Sequence, residues 1–302
     1  MVLIMMAVSV LVFFCLELVP GSVATKVLGP YSTTEQRELW LSANGYDRPA
    51  VVRYFSWLGK FVTGDFGTST RYKVPVSEVL WPRLWNTTIL AFSTFCLMAP
   101  LSLILGVLSG MREGSWLDRV ITFVAVLTSS IPEFASAVIF YAVLVFALGW
   151  LPATSNMAGG FEFSQLVLPT LVLVTYGTGY IVRMTRASMC EVMVTNYIRT
   201  AVLKGLPQSR IILRHALRNA MVAPLTVLMM QVNWLISGVV VVEYFFAYKG
   251  FGALILEAAL NQDIFVVEAG AMIAVFVAVV TQLFSDVGYM WLNPHLRFAS
   301  QS

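Results

Sequence analysis

Long apolar stretches separated by short polar breaks dominate the pattern of hydrophobic and polar positions along the chain. Six stretches approach or exceed the ~20 residues that an α-helix needs to cross the hydrocarbon layer of a membrane. They cover residues 2–19, 84–111, 120–150, 163–182, 219–242 and 264–291. The pattern therefore predicts an all-α integral membrane protein with six transmembrane helices.

The third stretch is longer than a single span and contains Pro132. Proline removes a helical hydrogen bond, so we expect either a kink or two helical pieces at this point. Two pairs of glycines interrupt other spans: Gly106 with Gly110, and Gly177 with Gly179. Because small residues let helix backbones approach closely, both pairs predict helix packing rather than a ligand site.

The only long region of ordinary polarity, residues 26–83, mixes charged and aromatic residues. It predicts a small external cap built from short helices. We divide the chain into a first transmembrane helix over residues 1–25, this cap, and a five-helix core over residues 84–302. The core includes a polar loop over residues 183–219.

The first apolar stretch could be a signal peptide, but Glu17 followed by Pro20 and Gly21 is a poor cleavage site. We therefore interpret the stretch as a retained helix. Orientation signals usually precede such a helix, and no basic residue stands before it here. We expect a few further residues upstream of Met1.

The charges of the short loops predict the orientation. Residues 183–218 hold seven lysines and arginines and one acid, whereas residues 151–162 hold no basic residue. Basic loops stay in the cytoplasm, so six spans place both termini inside. Residues 26–83 hold eight basic residues, but loops of this length are translocated largely regardless of charge.

Composition agrees with a membrane protein. Hydrophobic residues make up 58% of the chain and charged residues 12%, with a mean hydropathy of +0.80. The net charge of +3 gives no support for nucleic-acid binding. The three cysteines show no metal-binding or redox spacing, and we interpret them as structural thiols.

A helical elbow is expected over residues 197–224, which begin within the polar loop. Gly205 suits the position after a helix end, with positive φ, and Pro207 suits the first turn of the next helix, so Leu206 lies at the corner. An apolar stripe from Met189 to Val202 is expected on the first arm, with Lys204 complementing the helix dipole. Three arginines at four-residue spacing form a basic face on the second arm: Arg210, Arg214 and Arg218. Contact with anionic lipid headgroups is an alternative role for these arginines.

Arg199-Thr-Ala-Val-Leu-Lys-Gly205, followed after nine residues by His215-Ala-Leu-Arg-Asn219, resembles the cytoplasmic coupling loop of bacterial ABC-importer permeases. The B-type subunit of the dipeptide, oligopeptide and nickel branch is the most similar. Arg199-Thr200 replaces the Glu-Ala common among importers, and Arg218 replaces a common proline; both departures resemble the peptide branch. Parts of the cap and the ending Leu292-Asn-Pro-His-Leu-Arg297 resemble the same family.

The resemblance implies an ABC importer type I permease fold and a place in the bacterial inner membrane. It also implies four partners beside membrane lipids: a second homologous permease, two ATPase subunits and an extracytoplasmic solute-binding protein. The residues implied to couple to the ATPase are Arg199, Thr200, Ala201, Lys204, Gly205, Leu206, Arg210, Arg214, His215, Ala216, Leu217, Arg218 and Asn219. Peptides are the leading solute, although nickel chelates, glycosides and opine-like compounds are carried by similar subunits.

Catalytic chemistry is not expected on this chain, since the sequence has no phosphate-binding loop, HExxH motif or catalytic cysteine and histidine pair. We expect no cofactor and no metal here, with ATP and magnesium bound by the partner ATPases. Acidic residues in or beside the spans are candidates for the transport pathway: Glu133, Glu243 and Asp286. For Glu133 and Asp286 a pair with a neighbouring helix is the alternative, and Glu17 and Glu243 are near enough to helix ends to reach water. Intramembrane carboxylates also suit an ion-coupled secondary transporter, which is the alternative function.

Overall fold

The computed structural model describes residues 2–17, 23–29, 31–43, 45–157, 160–237 and 239–292. Within these ranges the chain is mostly helical, with one isolated β-bridge between Thr68 and Pro75. Pro20 and Gly21, which follow the first apolar stretch, lie outside the described residues, as do residues 293–297, on which part of the family resemblance depends.

In the described residues, the α-helices that precede residue 261 are numbered α1 to α14. They are α1 (Val2–Glu17), α2 (Val23–Leu28), α3 (Thr34–Ala43), α4 (Ala50–Val62), α5 (Val76–Gly110), α6 (Trp116–Ser130), α7 (Glu133–Phe140), α8 (Phe163–Met193), α9 (Asn196–Leu203), α10 (Gln208–Arg210), α11 (Leu217–Ala220), α12 (Val222–Ser237), α13 (Val240–Phe245) and α14 (Phe251–Leu260). The last helix is α15 (Ile264–Leu292). Two π-helical segments, Tyr141–Ala147 and Ile211–Ala216, follow α7 and α10.

Among the described residues, three helices are long and apolar enough to cross a membrane: α5, α8 and α15. Two bent pairs pass the same test of length and composition when each is taken together, and each is either a broken span or a re-entrant loop. The first joins Trp116–Ser130 to Glu133–Ala147 with a bend of 104°, and the second joins Gln208–Ala220 to Val222–Ile236 with a bend of 52°. The expected break at Pro132 is therefore confirmed. The apolar helix over Leu3–Cys15 is shorter, so the count of six spans and the external position of the cap stay predictions.

Two helices extend beyond the stretches that hydropathy marked. α5 begins at Val76 rather than at residue 84, and α8 continues to Met193 rather than ending at residue 182. Polar residues at a helix end can lie outside the hydrocarbon layer without ending the helix, which is why the apolar pattern underestimates helix length.

The chain divides into two compact units, which cut across the proposed domains. The first unit comprises residues 1–87 and 249–279. Its apolar core includes Val76, Leu80 and Leu254, all with no exposed surface. Buried polar contacts add to this core, because the Ser69 hydroxyl donates to the Asp263 carboxylate. The short helices expected in the cap are present as α2, α3 and α4.

The second unit comprises residues 88–248 and 280–302, and α8 is its central helix. In the most apolar part of α8, 67% of the residues are buried, and α6, α7 and α12 all pack against it. Gly106 faces Thr185, and Gly110 faces the backbone of Arg186 so closely that a β-carbon would lie 2.9 Å from its carbonyl oxygen. The role predicted for these glycines in helix packing is confirmed.

Candidate functional site

The elbow has the corner that the sequence predicts. α9 ends at Leu203, and Gly205 adopts φ of +70°. The Gly205 N–H donates to the Val202 carbonyl at 2.9 Å, and the Leu206 N–H donates to the Ala201 carbonyl at 3.3 Å. This pair of bonds is the Schellman arrangement, which satisfies carbonyls at the helix end and favours glycine at its left-handed position. The expected positive φ at Gly205 is confirmed.

The second arm differs in detail from the expectation. Pro207 is the N-cap residue of α10, with ψ of 142°. It therefore lies one position before the first helical turn, where the sequence predicts it. After Arg210 the chain becomes π-helical over Ile211–Ala216 before α11 begins. The sequence has no proline or glycine in these six residues that would mark the change.

The inner face of the elbow packs against the end of α8. The buried residues of this cluster are Met189, Ile198, Ala201, Ile211, Ala216 and Ala220. The Ser188 hydroxyl also donates to the Ala220 carbonyl at 2.8 Å, which ties α8 to α11 directly. The elbow is thus held against one helix that crosses the membrane.

The apolar stripe expected from Met189 to Val202 is not continuous. α8 ends at Met193 and α9 starts afresh at Asn196, so the helical phase changes between them. As a result Val194 is 78% exposed and Val202 is 58% exposed. The placement of these two valines on a buried stripe is wrong.

The outer face of the elbow is basic, with scattered apolar side chains. The exposed residues among those proposed for coupling are Arg199, Thr200, Lys204, Gly205, Arg210, Arg214, Arg218 and Asn219. Leu206, His215 and Leu217 are half-buried, whereas Ala201 and Ala216 belong to the buried face. Leu203 and Leu213 are 81% and 70% exposed. A surface of this kind suits a partner groove that combines acidic and apolar side chains.

A buried ion pair at the same end of α8 was missed by sequence reasoning, which treated Asp118 as part of a polar break. Asp118 is 3% exposed, and Arg186 donates to it through Nε at 2.6 Å and Nη2 at 2.9 Å. The Gly114 N–H donates to the same carboxylate at 2.8 Å, as does the Ser109 hydroxyl. Ser115 caps α6 three residues before Asp118. The local sequence signal for this site was an acid three residues after a serine, a spacing typical of a helix start.

The three acidic pathway candidates occupy different environments. Glu133 opens α7 directly after the break, and its Oε2 atom is buried with no hydrogen-bond partner among the described residues. Glu243 on α13 is fully buried, so the expectation that it reaches water is wrong. Asp286 is exposed and accepts a bond at 2.8 Å from Gln282 of its own helix. α7 packs against α13, which places Glu133 and Glu243 on contacting helices.

Two polar features of the long helices were not singled out from the sequence. One is Glu268, a half-buried acid in the apolar part of α15. The other is a polar groove in the second unit with a volume of about 220 Å³, lined by Ser129, Tyr176, Gly177, Tyr180, Arg183 and Gln231. We call it the Arg183 groove. In the described part of the chain, no cluster of three or more histidine, cysteine, aspartate or glutamate side chains could hold a metal ion.

Known proteins match the chain over most of its length. Residues 102–298 match the family described as binding-protein-dependent transport system inner membrane component. The oligopeptide transport system permease protein AppB of Bacillus subtilis (strain 168) is 34% identical, over 98% of this chain and 96% of that protein. The glutathione transport system permease protein GsiC of Escherichia coli (strain K12) is 30% identical, over 96% of this chain and 94% of that protein.

Solved structures share the fold. A chain of the inward-facing MetNI methionine ABC transporter aligns with a TM-score of 0.55 at 16% identity, over 72% of this chain and 97% of that one. A chain from an amino acid ABC transporter with histidines aligns with a TM-score of 0.55 at 12% identity, over 70% and 94%. The expected ABC importer type I permease fold is confirmed. The chain belongs to the family of binding-protein-dependent transport system inner membrane components and is a permease subunit of an ABC importer.

Proposed function

We propose that this chain forms half of the translocation pathway for peptides or similar small solutes. Its partners are a second homologous permease, two ATPase subunits and an extracytoplasmic solute-binding protein. The relatives named above, which span nearly the full chain, are named for oligopeptide and glutathione transport and support this solute class.

The elbow is the observation that carries the proposal. Its basic outer face is free to meet an ATPase, while its buried inner face contacts the end of α8. ATP-driven closure of the ATPases displaces the elbow, and the contacts from Met189 and Ser188 pass that displacement to α8. The solute is moved by alternating access, and no covalent bond is made or broken on this chain.

ATP and magnesium belong to the ATPase subunits in this proposal. Glu133, Glu243 and Asp286 stay proposed pathway residues. Glu133 is the strongest of the three, because its unpartnered oxygen lies at the break between α6 and α7. A buried carboxylate oxygen without a protein partner is stabilised by water or by a passing solute.

Reconstitution tests the proposal against the alternative of an ion-coupled carrier. The purified chain in proteoliposomes is expected to be inert, with or without a proton or sodium gradient. Peptide uptake should appear once the second permease, the ATPases and the loaded binding protein are added together with ATP. Uptake by the chain alone, driven by an ion gradient, would show a secondary transporter instead.

The proposed orientation places the cap outside and the elbow inside, with both termini in the cytoplasm. We expect an impermeant thiol reagent to label a cysteine at Ser42 in intact cells, and to reach one at Ser209 only after permeabilisation. Both serines are exposed, whereas Ser69 in the same cap is buried against Asp263 and would not react on either side.

The labelling uses a chain whose three native cysteines are replaced by alanine, because Cys15 and Cys96 are themselves exposed. The unsubstituted cysteine-free chain is the control for background labelling. Reaction of position 209 in intact cells, with position 42 protected, would contradict the orientation.

A further inference from the structure

We infer that the Arg183 groove binds the carboxylate of the solute during its passage through the membrane. The inference rests on the proposed function and deepens it, because it names the chemical group of the solute that is held and the side chain that holds it. None of the six residues that line the groove is acidic, so the groove favours an anion.

The groove lies at the depth of the membrane. Tyr176 and Arg183 are 13 and 20 positions after Phe163, which places them about 20 and 30 Å along α8. Gln231 is nine positions after Val222, which places it about 14 Å along α12 from the end that adjoins the elbow. With the elbow in the cytoplasm, the groove occupies the cytoplasmic half of the span, with Arg183 at the inner boundary of the hydrocarbon layer.

The lining residues are more polar than a lipid-facing surface allows. Arg183 is exposed, Tyr180 is 48% exposed, and Gln231 is partly exposed. Tyr176 and Gln231 lie deeper in the membrane than Arg183, and polar side chains at that depth face protein or a water-filled cavity, because facing hydrocarbon is costly. The groove therefore opens towards the interior of the assembled importer rather than towards lipid.

Several hydrogen-bond donors of the groove lie along one face of α8. Tyr176, Tyr180 and Arg183 follow each other at spacings of four and three residues, which puts them on one face of α8. The ring of Tyr176 is held against Trp234, with centroids 5.5 Å apart. Gly177 leaves room for Gln231, whose Nε2 atom lies 3.3 Å from the position that a β-carbon of residue 177 would take.

These groups match a peptide carboxylate. The guanidinium of Arg183 offers several N–H donors in a plane and can bind both oxygens of a carboxylate at once. The phenol and amide groups beside it can donate to the same oxygens or accept from neighbouring peptide N–H groups. A free carboxylate is present at the end of every unmodified peptide, so one such site serves solutes with different side chains.

The test compares a peptide that has a free carboxylate with its carboxamide analogue in the fully reconstituted importer. The binding protein is loaded with each peptide separately, and initial uptake rates are measured for the wild type and for Arg183→Gln. We expect Arg183→Gln to lower the rate ratio of carboxylate to carboxamide on the order of tenfold, the factor that about 1.4 kcal/mol gives. Arg183→Lys should restore part of the ratio, since it retains the charge but not the planar donors.

Arg119→Gln is the matched control, because it removes an exposed arginine from α6 at the same end of the bundle but outside the groove. It should leave the ratio unchanged. If Arg183→Gln lowers the uptake rates of both peptides equally, the inference is overturned and the permease assignment stays intact. A loss that depends on the anionic lipid content of the vesicles also overturns it, because the guanidinium then binds lipid phosphate. Failure of the wild-type importer to move either peptide overturns the proposed function, and the inference with it.

Discussion

Gly205→Val is expected to uncouple ATP hydrolysis from transport while leaving the chain inserted in the membrane. A β-carbon at Gly205 meets no atom within 4 Å, so the substitution causes no clash. Its cost is the positive φ of +70°, which is worth about 1–2 kcal/mol for a residue with a side chain and more for a β-branched one. The chain can relieve that strain by opening the corner, which turns the basic face of the second arm away from the ATPase.

The measurement is peptide uptake and substrate-stimulated ATP hydrolysis by the reconstituted importer, with recovery of the ATPase subunits on purification. Uptake should fall by at least about tenfold, the factor that about 1.4 kcal/mol of lost docking free energy gives. Gly205→Asn should retain most activity, because asparagine tolerates the left-handed conformation. Gly149→Val is matched in strain, since Gly149 has φ of +63° and open space around it but lies outside the elbow. If Gly205→Val behaves like Gly149→Val, the elbow does not couple.

Asp118→Asn is expected to destabilise the second unit by on the order of 3 kcal/mol. Removing one charge from a buried ion pair leaves the other without compensation, which typically costs 3–5 kcal/mol. Arg186 retains 27% exposure of its side chain, so solvent reduces the penalty towards the lower end of that range. Because Arg186 lies on α8 two residues before Ser188, the end of α8 that supports the elbow should loosen as well.

A double-mutant cycle with Asp118→Asn and Arg186→Met measures the pair itself by thermal unfolding of the purified importer. We expect a coupling free energy of at least about 1 kcal/mol. Glu113→Gln provides the control, since Glu113 lies 3.8 Å from Arg186 and its side chain is 61% exposed. That change should cost no more than about 0.5 kcal/mol. Additive effects of the two Asp118 and Arg186 changes would show that the bidentate geometry contributes nothing to stability.

Features set by neighbouring residues could be predicted from the sequence. The apolar stretches mark the cores of α5, α8 and α15, Pro132 marks the break after α6, and Gly205 marks the corner. Each of these depends on hydrophobic burial or on backbone geometry within a few positions, which a single sequence shows directly.

Features that depend on distant positions could not be predicted. Asp118 and Arg186 are 68 residues apart, and nothing local indicates that Asp118 pairs with an arginine on another helix. The groove around Arg183 likewise forms only when α6, α8 and α12 pack together. The burial of Glu243 has the same origin, since a position near a helix end reaches water unless other elements cover it.

The sharp bend between α6 and α7 has a consequence for a copy of the chain that lacks its partners. α6 has 15 residues and is about 22 Å long, shorter than the ~30 Å hydrocarbon layer, so neither limb of the bent pair spans alone. The bend includes Ser130 and Pro132, which are exposed in the single chain, and irregular backbone at membrane depth is tolerated only where protein or water covers it. We therefore expect a partner subunit to cover this bend in the assembled importer. A copy of the chain without its partners should then be degraded faster in cells than an assembled one.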